Sequence, residues 1–198
     1  MNLALPEIDQ TVRLRFESPM TDDEIVRFCQ ANEAVRVEQD ANGELIVMSP
    51  AGGGASNKNN NISYQLYKWA DETGSGITFD SSGGFRLPDG SMRSPDAAWI
   101  AWPRWNALTK EEQERFAPIC PEFVIELRSS SDSLGELQAK MGLWIANGAE
   151  LAWLIDPEER AVTIYRPGQE PEHLVDPTSV QGDGPVSGFE LVMARVWG

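Results

Sequence analysis

The sequence predicts one mixed α/β (α+β) domain, and three observations lead there. Amphipathic helical periodicity recurs along the chain, most clearly at Leu137, Met141 and Trp144. Between such stretches lie apolar runs that are strand-sized and too short for helices, Phe123 to Leu127 and Leu151 to Ile155 among them. The 198 residues, 41% hydrophobic and 24% charged, suit a single unit over 1–198, at roughly 100–200 residues per domain. That length buries a core without disulfides or structural metal.

Taken in order, Thr21-Asp22-Asp23-Glu24 has the pattern of a capping box, in which threonine and glutamate side chains satisfy free N–H groups. Ile25, Phe28 and Cys29 continue at helical spacing, so a helix is expected to about Asn32. Val35 to Glu38 and Glu44 to Met48 read as a hairpin joined through Asp40-Ala41-Asn42-Gly43, where Asn-Gly tolerates a tight turn. Gly52 to Asn61 reads as a polar loop running into a helix from about Asn57 to Glu72, capped by Ser56 or a neighbouring asparagine. Ile77 to Phe79, Gly84 to Leu87 and Asp96 to Ile100, with a Pro88-Asp89-Gly90 turn, read as a curved antiparallel sheet. Trp102 and Trp105 fall in a loop after it, suited to stacking on a base or to burial at a dimer interface. Thr109 to Glu112 repeats the capped-helix pattern, and Leu134 to Asn147 is the clearest helix, with Asp132 placed to cap it and Gly148 to end it. Leu151 to Ile155 and Ala161 to Tyr165 are strands around an Asp156-Pro157-Glu158-Glu159 turn, and Gln169 to Gly188 reads mostly as loop. Trp69, Trp99, Trp144 and Trp153 fall on apolar periodicity and belong in the core.

The formal net charge is −15, from 31 acidic and 16 basic residues. Proteins that coat nucleic acid by neutralising phosphates carry the opposite balance, so non-specific DNA coating is disfavoured. A nuclease with metal-binding carboxylates is not excluded. Cys29 and Cys120 form no CxxC pair and His173 is the sole histidine, which leaves too few ligands for a Cys/His zinc site. No stretch nears the about 18 apolar residues of a membrane span, and the opening MNLALPEIDQ lacks the basic and apolar regions of a signal peptide. A cytoplasmic protein with reduced thiols and no membrane partner is expected.

One charge stands where a central strand should be apolar: Glu126, inside Phe123-Val124-Ile125-Glu126-Leu127-Arg128. By the two-residue period of a strand, Phe123, Ile125 and Leu127 share a dry face, and Val124, Glu126 and Arg128 share the other. Glu126 either pairs with Arg128 at the sheet surface or carries chemistry. Asp96, after Pro95, opens a second apolar strand. Two acids on neighbouring strands suit Mg²⁺ or Mn²⁺, hard cations that take oxygen ligands and often only one or two carboxylates. Such a site suits phosphodiester hydrolysis. Lys140 lies about 60–70° from the middle of its helix's apolar stripe, at roughly 100° per residue. It is either a lysine snorkelling from the helix edge or an inward ammonium beside the attacking water.

Pro95-Asp96 followed by Glu126-Leu127-Arg128 resembles the PD-(D/E)XK nuclease signature, with arginine in place of lysine. The wider set is Gly43-Glu44-Leu45-Ile46-Val47-Met48-Ser49-Pro50, Arg93-Ser94-Pro95-Asp96-Ala97-Ala98-Trp99, Leu137-Gln138-Ala139-Lys140-Met141 and Trp153-Leu154-Ile155-Asp156-Pro157. With it, the chain from about Thr21 to Trp197 resembles the Uma-type putative restriction endonucleases. The resemblance implies a restriction-endonuclease-like core, a mixed curved sheet flanked by helices, and metal-dependent DNA cleavage. It implies Asp96 and Glu126 as metal-binding carboxylates and Lys140 as the family lysine, displaced to the helix after the motif strand. Glu38 matches a recurrent acid of the family and is a candidate third carboxylate aimed at metal or water, against a reading as a surface glutamate at a strand end. Arg128, which does not readily lose a proton, is a candidate for stabilising phosphate charge rather than for acting as base.

The expected activity is therefore that of a Mg²⁺- or Mn²⁺-dependent endodeoxyribonuclease, with Asp96 and Glu126 holding the metal, Lys140 orienting the attacking water and Glu38 assisting. Double-stranded DNA is the expected substrate. A homodimer is expected by analogy, because cutting both strands suits two sites related by a two-fold axis. The competing expectation is a nuclease fold kept as a binding or regulatory module, its acidic surface facing a basic protein partner. Asn57, Lys58, Asn59 and Asn60 either touch phosphate at a helix N-terminus or serve as loop and cap.

Overall fold

A computed structural model describes residues 11–198, and the reading made of the first ten residues lies outside them. The elements in order are β1 (Val12–Leu14), α1 (Asp22–Ala31), β2 (Arg36–Gln39), β3 (Leu45–Met48), α2 (Gly53–Thr73), β4 (Gly76–Asp80), β5 (Phe85–Arg86), β6 (Met92–Arg93) and β7 (Ala97–Ala101). There follow α3 (Trp102–Trp105), α4 (Lys110–Gln113), β8 (Phe123–Leu127), α5 (Leu134–Ala146), β9 (Leu151–Asp156), β10 (Ala161–Tyr165), β11 (Glu172–Val175), β12 (Ser179–Gln181), β13 (Glu190–Val192) and α6 (Ala194–Trp197).

The centre is a six-stranded mixed sheet in the order β11-β10-β9-β8-β7-β4. β8 and β9 run parallel and every other neighbouring pair antiparallel. A parallel pair needs a long crossover, and the clear amphipathic segment supplies it as α5. Side-chain alternation then divides two cores. Phe123, Ile125, Leu127, Trp99 and Trp153 pack against Ile62, Leu66 and Ala70 of α2 on one face. Val124, Ala98, Ile100, Ala152 and Leu154 pack against Met141 and Trp144 of α5 on the other. Both faces of β8 are therefore buried, and the α5 side also carries the charged Glu126, as the strand parity predicted. The chain is a mixed α/β fold whose sheet is flanked by helices.

A second, five-stranded antiparallel sheet, β1-β3-β2-β6-β5, carries α1 over Val37, Leu45, Val47 and Met92. Its β2–β3 hairpin turns as expected. Asp40 Oδ1 accepts from the N–H groups of Asn42 and Glu44, each at 2.9 Å. Gly43 sits at φ 84°, where a Cβ would also strike Pro19 at 2.5 Å. Both predicted capping boxes form, at Thr21 with Glu24 and at Thr109 with Glu112.

Several expectations need correction. The Gly52–Asn61 loop is helical from Gly53, with Gly52 at the N-cap and no side-chain cap. Burial of Ile62, Leu66 and Ala70 outweighs the weak helix propensity of its glycines and asparagines. Asn57 to Asn60 thus lie inside α2, beyond its N-terminus. Phe85–Arg86 leaves the expected curved sheet and pairs with Met92–Arg93 in the second one. Trp102 and Trp105 are helical, aided by Pro103 in the first turn. Trp105 packs on Phe79 at 5.1 Å between ring centroids. Asp132 does not cap α5, which starts after Ser133; it accepts instead from the N–H and hydroxyl of Ser129, both at 2.8 Å. The segment 169–188 contains β11, β12 and a 3-10 turn, and with the residues after it adds Val180, Val186, Phe189, Leu191 and Val196 to the α2-side core. Cys29 and Cys120 are free thiols.

Candidate active site

Four elements bring the singled-out residues together, and local sequence explains each placement. Glu126 shares its strand parity with Val124, so its side chain leaves β8 on the α5 side, and it is only 3% exposed. There Lys140 Nζ lies 2.8 Å from Glu126 Oε1. One helical turn further on, the Trp144 indole N–H donates to the same oxygen at 2.8 Å. Glu38, on β2, is 2% exposed, and its Oε1 lies 2.8 Å from Lys140 Nζ. Arg93 Nη1 meets Glu38 Oε2 at 2.9 Å, and the Ser94 N–H donates to Oε1 at 3.1 Å. The surface-glutamate reading of Glu38 is therefore overturned.

Asp96 precedes β7, and its N–H donates to the Ile125 carbonyl at 3.1 Å. Its Oδ2 accepts from the Leu127 N–H at 2.8 Å, and its Oδ1 faces Arg36 Nη1 at 3.3 Å. The carboxylate is thus clipped across the strand beside Glu126. Lys140 completes the network by donating to the Ser94 carbonyl at 3.3 Å, so all three ammonium protons have acceptors.

The charges order the protonation states. Burial pushes the Glu126 carboxyl up, Lys140 pulls it down, and the charges of Asp96 and Glu38 push it up again, leaving it at about 7. Burial acts on Glu38 in the same sense, but the cations Lys140 and Arg93 prevail and hold it at about 2. For Lys140, burial lowers the value, while Glu126 and Glu38 raise it above the ordinary lysine range. Lys140 is therefore a permanent cation near neutral pH and has no basic lone pair to offer.

Arg128 is not part of this network. Its Nη1 pairs with Asp156 Oδ2 at 2.6 Å, so the Glu126–Arg128 pair weighed from the sequence is not formed. Asp156 also closes the expected turn, accepting from the Glu158 and Glu159 N–H groups. Sequence reasoning missed Arg93, Arg36 and Trp144. Only Trp144 carried a signal, standing four residues after Lys140 and hence on nearly the same face of α5.

Among the described residues, no three His, Cys, Asp or Glu side chains gather into a metal cage. The donor set is at most the pair Asp96 and Glu126, because Glu38 is taken up by Lys140, Arg93 and Ser94. Two carboxylates fit a hard divalent cation that completes its shell with water or substrate oxygens. The Glu126 carboxyl is raised chiefly by burial, with the charges of Asp96 and Glu38 adding to it, and a bound cation would favour its charged form.

Among the described residues, no helix is long and apolar enough to cross a membrane. No curated protein matches the chain. The crystal structure of a putative nuclease belonging to DUF820, from Anabaena variabilis, superposes with a TM-score of 0.74. The two are 23% identical over 90% of this chain and 98% of that one, a likeness of fold. The model of the Uma2 family, described as "Putative restriction endonuclease", matches residues 22–194. With all but the two ends of the chain inside that match, the protein belongs to the Uma2 family.

Proposed function

We propose that this chain is a nuclease and, more narrowly, a Mg²⁺- or Mn²⁺-dependent endodeoxyribonuclease acting on double-stranded DNA, as one domain over 1–198 and as a cytoplasmic homodimer. The observation that carries the reading is Lys140 Nζ held 2.8 Å from both Glu38 and Glu126, with Asp96 bonded to the backbone next to Glu126. Membership of a family described as restriction endonucleases, and a shared fold with a protein described as a nuclease, support hydrolysis of nucleic acid as the reaction class.

Asp96 and Glu126 would hold the metal, which when bound polarises phosphoryl oxygen and lowers the pKa of bound water. Lys140, fixed as a cation, orients the attacking water and meets the developing phosphate charge by releasing its longest contact, the 3.3 Å bond to the Ser94 carbonyl. Glu38 anchors Lys140 rather than binding metal. Arg128, bound to Asp156, braces the end of β8.

The test is cleavage of supercoiled plasmid at low salt with Mg²⁺, Mn²⁺ or EDTA, running Glu126→Ala and Lys140→Ala beside the wild type. The expected result is metal-dependent cutting lost in both variants. An inert wild type that still binds Mn²⁺ moves the reading to a nuclease-fold binding module; without Mn²⁺ binding, the metal site falls as well.

A further inference from the structure

Glu126 Oε1 receives two donors from successive turns of one helix, Lys140 Nζ and Trp144 Nε1, each at 2.8 Å. Trp144 is fully buried and its ring packs in the α5-side core, so the indole N–H has little freedom to re-aim. Among the described residues, no hydrogen bond reaches Glu126 Oε2. The carboxylate is consequently pinned in rotation, with one oxygen saturated by the helix and the other turned away from it. We infer that Trp144 is a positioning residue: its indole N–H fixes the Glu126 carboxylate so that Oε2 is the oxygen presented to a divalent cation.

This inference rests on the proposed metal site and adds a residue that neither the sequence motif nor the family description names. The physical ground is that groups bonded to a ligand orient it, and losing them typically weakens metal binding by 10–100-fold. Phenylalanine at position 144 keeps an aromatic body and removes the donor. Leu87→Ala serves as the packing control, since Leu87 lies in the same core cluster and, unlike Leu154, is not the register partner of Glu126.

The experiment measures Mn²⁺ binding to the full-length protein by calorimetry, with folding of each variant checked by its thermal transition. Trp144→Phe is expected to bind Mn²⁺ about tenfold more weakly, while Leu87→Ala binds as the wild type does. Equal affinity in Trp144→Phe and wild type overturns the inference and leaves the proposed metal site standing. A wild type that binds no Mn²⁺ overturns both. Should Trp144→Phe fail to fold, the wild type labelled with ¹⁵N at its tryptophans answers instead. The Trp144 indole resonance is expected to move with Mg²⁺ occupancy, and a resonance that stays put during saturation overturns the inference.

Discussion

Replacing Lys140 with methionine removes a cation while keeping an unbranched stem in the same space. The ammonium lies 2.8 Å from each of two buried carboxylates. At an effective dielectric of about 20, each contact is a gross attraction of about 6 kcal/mol, much of it offset by desolvation. Removing one partner of a buried pair costs about 3–5 kcal/mol net. The pH dependence separates this from lost packing. Glu126 has a folded value of about 7 against 4.5 when unperturbed, so its contribution is present below pH 4.5 and is lost as pH rises to about 7. Without Lys140 the folded value moves higher still, and the loss continues past pH 7 at about 1.4 kcal/mol per pH unit. The assay is urea unfolding of both proteins in EDTA at pH 6 and pH 8. The variant should be less stable at pH 6, and the gap should widen by about 1 kcal/mol at pH 8. A gap below about 1 kcal/mol at both pH values, or one that does not widen, refutes the reasoning.

Glu38 titrates in the opposite sense. Its folded value of about 2 lies below 4.5, so its stabilisation is present above pH 4.5 and is lost as pH falls toward 2. The stability difference between wild type and Glu38→Gln should therefore shrink by about 2 kcal/mol between pH 5 and pH 3 in chemical unfolding, and a constant difference refutes the network. Two glycine substitutions separate packing from propensity by thermal unfolding. A Cβ on Gly76 would lie 2.3 Å from the Ile100 carbonyl and 2.5 Å from the Trp99 ring, so Gly76→Ala should destabilise by about 1–3 kcal/mol. At Gly142, inside α5, a Cβ meets nothing within 4 Å, so Gly142→Ala should stabilise by about 0.5–1 kcal/mol, and the same sign at both sites refutes this account.

Periodicity made β8, α5, β9 and β10 legible because each buries a regular stripe, and the capping boxes marked the starts of α1 and α4. α2 was misread at its N-terminal end because its glycines and asparagines carry a loop signature locally, while the contacts that make them helical come from the sheet. The tail beyond Gln169 was read mostly as loop for a related reason: Val186, Phe189 and Leu191 find their partners only across the whole fold, on α2 and the central strands. Asp96, Glu126 and Lys140 stood out because an acid opening an apolar strand, an acid inside one and a lysine at the edge of a buried stripe each break a pattern. Glu38 breaks none, and family resemblance alone pointed to it. Arg93 and Arg36 were invisible because each is defined by a carboxylate outside its own strand, Glu38 on the neighbouring β2 for Arg93 and Asp96 beside the other sheet for Arg36, which strand-local reasoning does not reach.

The two sheets matter to the site for that same reason. Glu126 belongs to the six-stranded sheet and Asp96 immediately precedes its strand β7, while Glu38, Arg93 and Arg36 come from the other sheet. Lys140, from α5, is bonded to both. Three carboxylates, Glu38, Asp96 and Glu126, thus face three cations, Arg36, Arg93 and Lys140, and each cation is already engaged. In a chain of net charge −15, these charges balance one another, and what Lys140 can offer a phosphodiester is the proton now given to the neutral Ser94 carbonyl. On the proposed reading, affinity for the substrate's phosphate near the site depends on bound divalent metal as much as the chemistry does. The protonated fraction of Glu126 then couples metal binding to release of a proton near neutral pH.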